Sequence, residues 1–144
     1  MKSLRQFADL TARDRRLLLH ASVLVAGIRL ILWTVPFRFA RGLVSWRTPV
    51  SPALTQIRVN RLSWSVQAAA KRIPGASCLT QAVALHRLMA RAGHTTDLRI
   101  GVAKDGASGF ASHAWLEYKG EILIGDDGEL DRYAPILAYS SEAR

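Results

Sequence analysis

Residues 14–35, DRRLLLHASVLVAGIRLILWTV, are apolar almost throughout and read as a helix that Pro36 stops. The two prolines of RTPVSP, 47–52, mark a linker, and 53–71 reads as a second helix that draws apolar content from Trp64 and Val66. Pro74 and Gly75 break that helix. Residues 78–92, rich in Ala and Leu, then predict a third helix closed by Gly93 at its C′ position. Beyond it the period changes. In DLRIGVAK, 97–104, Leu98, Ile100 and Val102 alternate with the residues between them; DGASG, 105–109, is a turn; FASHAWLEY, 110–118, and EILIG, 121–125, are again strand-like around Lys119-Gly120. Helices first and three antiparallel strands after them predict an α+β fold rather than a parallel βαβ arrangement.

A chain of 144 residues has the size of one domain. Residues 1–50 form a basic, apolar helical region and 51–144 a catalytic core, the two expected to pack as one compact unit. A single cysteine permits no internal disulfide, and no small-residue cleavage site follows the apolar run, so the expected setting is reducing and cytoplasmic. Charge is unevenly placed: residues 1–75 hold 13 Lys and Arg against 2 acids, and 76–144 hold 7 against 9. A basic half of this kind suits nucleic acid, an anionic membrane or an acidic protein. Zinc-finger spacing, a glycine-aromatic RNA signature and a polar recognition helix are all missing, which argues against nucleic acid. The 19 residues between Arg16 and Pro36 are marginally long enough to span a bilayer, but His20 and Arg29 interrupt them. A packed or surface-lying helix is expected instead. Arg13, Arg15, Arg16, Arg38, Arg41 and Arg47 flank it, favouring contact with an anionic surface or a protein partner and leaving peripheral membrane association open.

The lone cysteine, Cys78, falls where the small-residue turn RIPGAS becomes the third helix. A lone Cys is commonly a small buried hydrophobe. At a helix N-terminus, however, unpaired amides and the positive dipole end stabilise a thiolate and can also donate to an oxyanion. A nucleophilic thiol needs a base within reach. His86 lies eight residues along the same helix, about 12 Å away; His94 follows its far end; His20 belongs to the N-terminal helix. His113, in SHAW, remains. If Lys119-Gly120 is a two-residue hairpin turn, Tyr118 pairs with Glu121 and His113 with Asp126, on one face of the sheet. A one-residue bulge would bring Asp127 there instead. Cys78, His113 and Asp126 meet the roles of a nucleophile, base and orienting acid. Metal-ligand spacing is absent, and no metal or cofactor is expected. Gln67 and Trp64, upstream of Cys78, are candidates for a second oxyanion donor.

CLTQAVALHRLMARAGH, then LRIGVAK, then FASHAWLEYKGE, resembles the transglutaminase-like leader peptidases of lasso peptide biosynthesis in their short stand-alone form, over about residues 15–131. The most specific parts are Cys-Leu-x-x-Ala-x-Ala-Leu-x-x-Leu at 78–88 and His-Ala-Trp at 113–115; the basic, apolar helix ending in Pro36-Phe37 also fits. The resemblance implies a transglutaminase-like or papain-like cysteine protease core in which Cys78 attacks the bond joining leader to core in a ribosomally made precursor peptide, assisted by His113 and an Asp. Longer family members carry a winged-helix leader-binding domain, and no such segment is read here. The implied partners are therefore a separate leader-recognition protein, the precursor itself and a cyclase that closes the macrolactam. Other thiol acyl-transfer chemistry, as in an amidase or transglutaminase, and a catalytically silent peptide-binding subunit are the competing readings.

Overall fold

A computed structural model describes residues 5, 6, 8–40, 42, 47–104 and 109–140; Arg41 and most of the turn expected at 105–109 lie outside them. Helix α1 (Ala12–Thr34) begins where the Thr11 side chain accepts the Asp14 amide and ends at Val35, just before Pro36. Leu17, Leu18, Ala21, Val25 and Ile28 form its buried face, at the three- and four-residue spacing of one helix side. That face packs on α2 (Val59–Ala70) and α3 (Cys78–Arg91). The helix expected over 53–71 is broken. Pro52–Thr55 makes a single turn in which the Thr55 hydroxyl bonds to the Pro52 carbonyl, and α2 starts only after Arg58 turns extended. A hydroxyl spent on the local backbone competes with helix propagation, and the break lets two axes diverge while Leu54 and Ile57 both reach the core.

Four antiparallel strands follow, not three: β1 (Asp97–Lys104), β2 (Phe110–Tyr118), β3 (Glu121–Ile124) and β4 (Ala134–Ser140), in the order β3-β2-β1-β4. β4 escapes pattern reading because it is an edge strand, exposed along nearly its whole length and carrying Pro135, so neither alternation nor composition marks it. It pairs with β1 across a bulge at Ile100/Gly101. Leu98, Ala114, Leu116 and Ile124 cover one sheet face and join Val83, Leu85, Leu88 and Met89 of α3, together with the buried sides of α1 and α2, in one core. α3 ends at Gly93 (φ +84°) and β1 returns beside it. Within the sheet, Gly101 of β1 pairs with His113 of β2.

Candidate active site

The nucleophile's end of α3 is built by its cap. Ser77 is extended; its Oγ accepts the Thr80 amide and its carbonyl accepts the Gln81 amide. Among the described residues no hydrogen bond uses the amides of Cys78 and Leu79, which stand at the open end of the helix as ready oxyanion donors. Cys78 is the first helical residue, a free thiol, half-buried against the core. Gly75, three residues ahead, has φ +74°, and the Arg29 guanidinium lies where a side chain would be, 2.6 Å from the Cβ position. The arginine in the middle of the apolar run thus lies across the turn that delivers the nucleophile.

On the sheet, the predicted two-residue turn forms, with Lys119 at φ +50° and Gly120 at φ +81°, and Tyr118 pairs with Glu121. The register then slips. Glu117 pairs with Ile122, but Leu116 pairs with Ile124, so Leu123 is the extra residue of a bulge. The slip corrects the expected His113–Asp126 pair: the carboxylate beside His113 is Asp127, its Oδ2 4.0 Å from Nε2. Asp126 instead accepts the Gly128 amide and, with Gln67, Gln81 and Gly125, lines a cavity of about 310 Å³.

His113 Nε2 also contacts the Gly125 carbonyl at 2.5 Å. A carbonyl oxygen can only accept, so Nε2 carries the proton in this contact, an arrangement that in the neutral ring leaves the Nδ1 lone pair free to act as a base. Gly125 is required for this contact: at φ +89° its backbone presses so close to β2 that a Cβ would lie 2.5 Å from the Ala114 carbonyl. Tyr133 stacks on the His113 ring, 5.2 Å between centroids, with Trp115 at 6.3 Å on the same strand face. Room for Tyr133 and the Trp115 ring comes from Gly101, whose Cβ would meet Tyr133 Cβ at 2.9 Å and the edge of the Trp115 ring at 3.1 Å. The Tyr133 hydroxyl donates to Asp127 Oδ2 at 3.2 Å. The Glu129 amide first, then Tyr133 and His113, hold the Asp127 carboxyl below the ordinary carboxylate range against a partial desolvation, while desolvation and the bond to Asp127 push the Tyr133 phenol up. Gly125, Tyr133 and Gly101 were not singled out in the sequence; their role depends on the bulge and on β4, and neither leaves a local signal.

His113 and Asp127 are therefore brought together, but among the described residues no hydrogen bond joins the Cys78 thiol to the ring. Ala114 and Leu116 face the core beneath α3, so strand alternation turns His113 and Trp115 to the other side of β2. The remaining histidines are engaged elsewhere: His86 with buried Thr96, His94 with Tyr118, and His20 with Arg91, whose guanidinium donates to its Nε2. Gln67 donates to Ser63 and Trp64 lies under Arg61, so both expected oxyanion candidates carry structural contacts. Among the described residues no group of His, Cys, Asp or Glu is placed to hold a metal ion.

Comparison with curated proteins and with solved structures finds no significant match. A family model, that of the transglutaminase-like superfamily, matches residues 22–138, from the middle of α1 to the end of β4. It therefore takes in the helix-borne Cys78, the strand-borne His113 and the loop carrying Asp127. Cysteine peptidase or acyltransferase chemistry is the activity this superfamily suggests. By that match over most of its length, the chain belongs to the transglutaminase-like superfamily.

Proposed function

We propose that the protein is a cysteine peptidase that removes the leader from a ribosomally synthesised lasso peptide precursor. What supports the reading is a free thiol on the first residue of a capped helix and, on a separate strand, a histidine whose Nε2 contacts the Gly125 carbonyl with Asp127 beside it. The likeness of 78–88 and 113–115 to the leader peptidases supplies the substrate class.

In the proposed reaction the Cys78 thiol passes its proton to His113 Nδ1 while Sγ attacks the carbonyl carbon of the last leader residue. The Cys78 and Leu79 amides receive the oxyanion. Collapse breaks the C–N bond, the core peptide's new amine leaves with the proton from His113, and the leader remains as a thioester. His113 then takes a proton from water, hydroxide attacks the thioester, and the leader departs as a carboxylic acid with the thiol restored. Asp127 keeps the ring oriented and stabilises the imidazolium formed in each half. Because β2 turns His113 away from α3 in the free protein, the scheme requires ring and thiol to meet around the end of the strand when the precursor binds. A leader-recognition protein presents the substrate in this scheme, and a cyclase uses the freed amine.

The test is cleavage of precursor by wild-type, Cys78→Ala and His113→Ala proteins in the presence of the leader-recognition protein, followed by product mass. Loss of cleavage in both variants, each with an unchanged circular dichroism spectrum, is expected, with the double variant no worse than either single one. Cleavage by folded Cys78→Ala would refute the proposal. A product in which the acyl group has moved to an amine would replace hydrolysis by transfer.

A further inference from the structure

α1 buries one side and leaves the opposite side bare. The exposed residues Leu19, Val23, Ala26, Leu30 and Trp33 recur at alternating four- and three-residue steps, a continuous apolar stripe along the helix. Val23 and Trp33 are 74% and 73% exposed, and Phe39 continues the stripe past the helix end at 65%. The one charge that would interrupt it, Arg29, is drawn off the stripe to lie over Gly75. The only acid of α1, Asp14, pairs with Arg61 of α2 at 2.9 Å. What surrounds the stripe is positive: Arg15 and Arg16 at its start, Arg38 at its end, and beside its first turns a cleft of about 380 Å³ lined by Arg13, Arg16, His20 and Arg91 over apolar Leu17 and Leu54, with no acidic residue in its lining.

We infer that this face docks on an anionic lipid bilayer, with α1 lying in the plane of the interface. Spanning is ruled out by the opposite side, where Leu17, Leu18, Ala21, Val25 and Ile28, each at most 3% exposed, are committed to the protein core. A second copy of the chain would set two arginine-rich rims against each other. An acidic protein would also complement the arginines, but it would not call for a five-residue apolar stripe along the helix; such a stripe flanked among the described residues by several arginines, with an exposed tryptophan near one end, suits acyl chains beneath anionic headgroups. The basic cleft then takes a lipid phosphate, and its neighbour, walled by Leu19, Val23 and Leu24, takes the start of an acyl chain. Because Arg29 ties α1 to the turn before Cys78, a docked helix holds the thiol's end of α3 near the membrane surface. The inference is independent of the reaction that Cys78 performs.

Flotation of the full-length protein with vesicles of phosphatidylcholine alone, or of phosphatidylcholine and phosphatidylglycerol, tests it. Binding is expected to the anionic vesicles and not to the zwitterionic ones, and to weaken on raising salt from about 0.1 M to about 1 M, where the Debye length shrinks to about 3 Å. Val23→Asp, a change on the exposed side that leaves the core untouched, should lower the partition coefficient by at least about tenfold. Arg13→Glu and Arg16→Glu should each lower it by about fivefold or more. Leu30→Asp serves as a second variant if either arginine change disturbs folding. Absence of binding to anionic vesicles, equal binding to both compositions, or binding untouched by Val23→Asp and Leu30→Asp would overturn the inference. So would a concentration-dependent dimer that Val23→Asp dissolves in a protein that ignores vesicles.

Discussion

Replacing Gly125 by alanine separates the stability of the loop from the positioning of the base. At φ +89° any L-residue pays the left-handed cost, about 1–2 kcal/mol. At Gly125 the added methyl would also fall 2.5 Å from the Ala114 carbonyl and 2.9 Å from Trp115 Cα, both backbone atoms of β2 that cannot swing aside. Relieving such an overlap costs a further ~1–3 kcal/mol, so the total is about 2–5 kcal/mol. Gly128 is the internal control: its φ is +79° and nothing lies within 4 Å of its Cβ position, so Gly128→Ala should lose only the first part, about 1–2 kcal/mol. Urea denaturation of the two variants gives the difference directly. The second readout is activity at a temperature where both remain folded. Moving the Gly125 backbone away from β2 removes the acceptor that fixes the His113 tautomer, so Gly125→Ala should lose at least tenfold in kcat with little change in KM, while Gly128→Ala stays near wild type. Equal destabilisation of the two variants would show that the close approach to β2 is relaxed at no cost. Full activity in folded Gly125→Ala would show that the carbonyl contact does not set the base.

Asp127→Asn should reduce cleavage more than Asp126→Asn, because the bulge at Leu123 puts the first carboxylate beside His113 while the second accepts the Gly128 amide; the reverse order in kcat would refute the observed register as the functional one. The Asp127 carboxyl is held below its ordinary range, so its contribution to stability is fully present above the unfolded value near pH 4 and is lost as pH falls through the lower folded value. Wild type should therefore be more stable than Asp127→Asn above about pH 4, and the difference should shrink as pH falls below it, which urea denaturation followed by circular dichroism at stepped pH checks. Gly75→Ala combines a left-handed strain with displacement of the Arg29 guanidinium and should cost about 1–2 kcal/mol in urea denaturation, with Arg29→Met relieving the contact but not the strain. An unchanged midpoint for Gly75→Ala would mean that the turn rearranges freely.

Much of this fold is written in local patterns. α1 is bounded by a capping Thr11 and by Pro36, α3 by Ser77 and Gly93, and the alternation of Leu98, Ile100 and Val102 marks β1, because caps, breakers and period act over a few residues. The hairpin turn at Lys119-Gly120 is legible for the same reason. Its register is not. A bulge at Leu123 depends on what lies across the strand, and EILIG contains nothing that distinguishes a flat strand from a bulged one. Asp126 and Asp127 are adjacent, so a slip of one residue exchanges their faces and moves the carboxylate beside His113 from one to the other. Tyr133 was beyond reach because its placement needs β4 at the sheet edge and an empty Gly101 beneath it, two features more than thirty residues apart in sequence. The helix start at Cys78 and the strand at His113 are each locally marked, but the distance between them is not.

Hydrolysis and transfer share every step up to the thioester and part at the acceptor, so the difference between a peptidase and a transferase in this superfamily lies in what stands over Cys78 after the amine has gone. In the proposed reaction the departing group is itself an amine, the new N-terminus of the core, and its return would simply rebuild the scissile bond. Two physical features favour water. An α-amine with an ordinary pKa of about 7.7–8.0 is largely protonated at pH 7 once solvent reaches it, and an ammonium cannot attack. Cys78 is only half-buried on the first residue of its helix, so in the proposed reaction its thioester stays within reach of water. A transferase needs the opposite arrangement, a site that keeps its amine neutral and excludes water while the thioester waits. The free end of α3 and the solvent-accessible loop carrying Asp127 fit the first requirement better than the second.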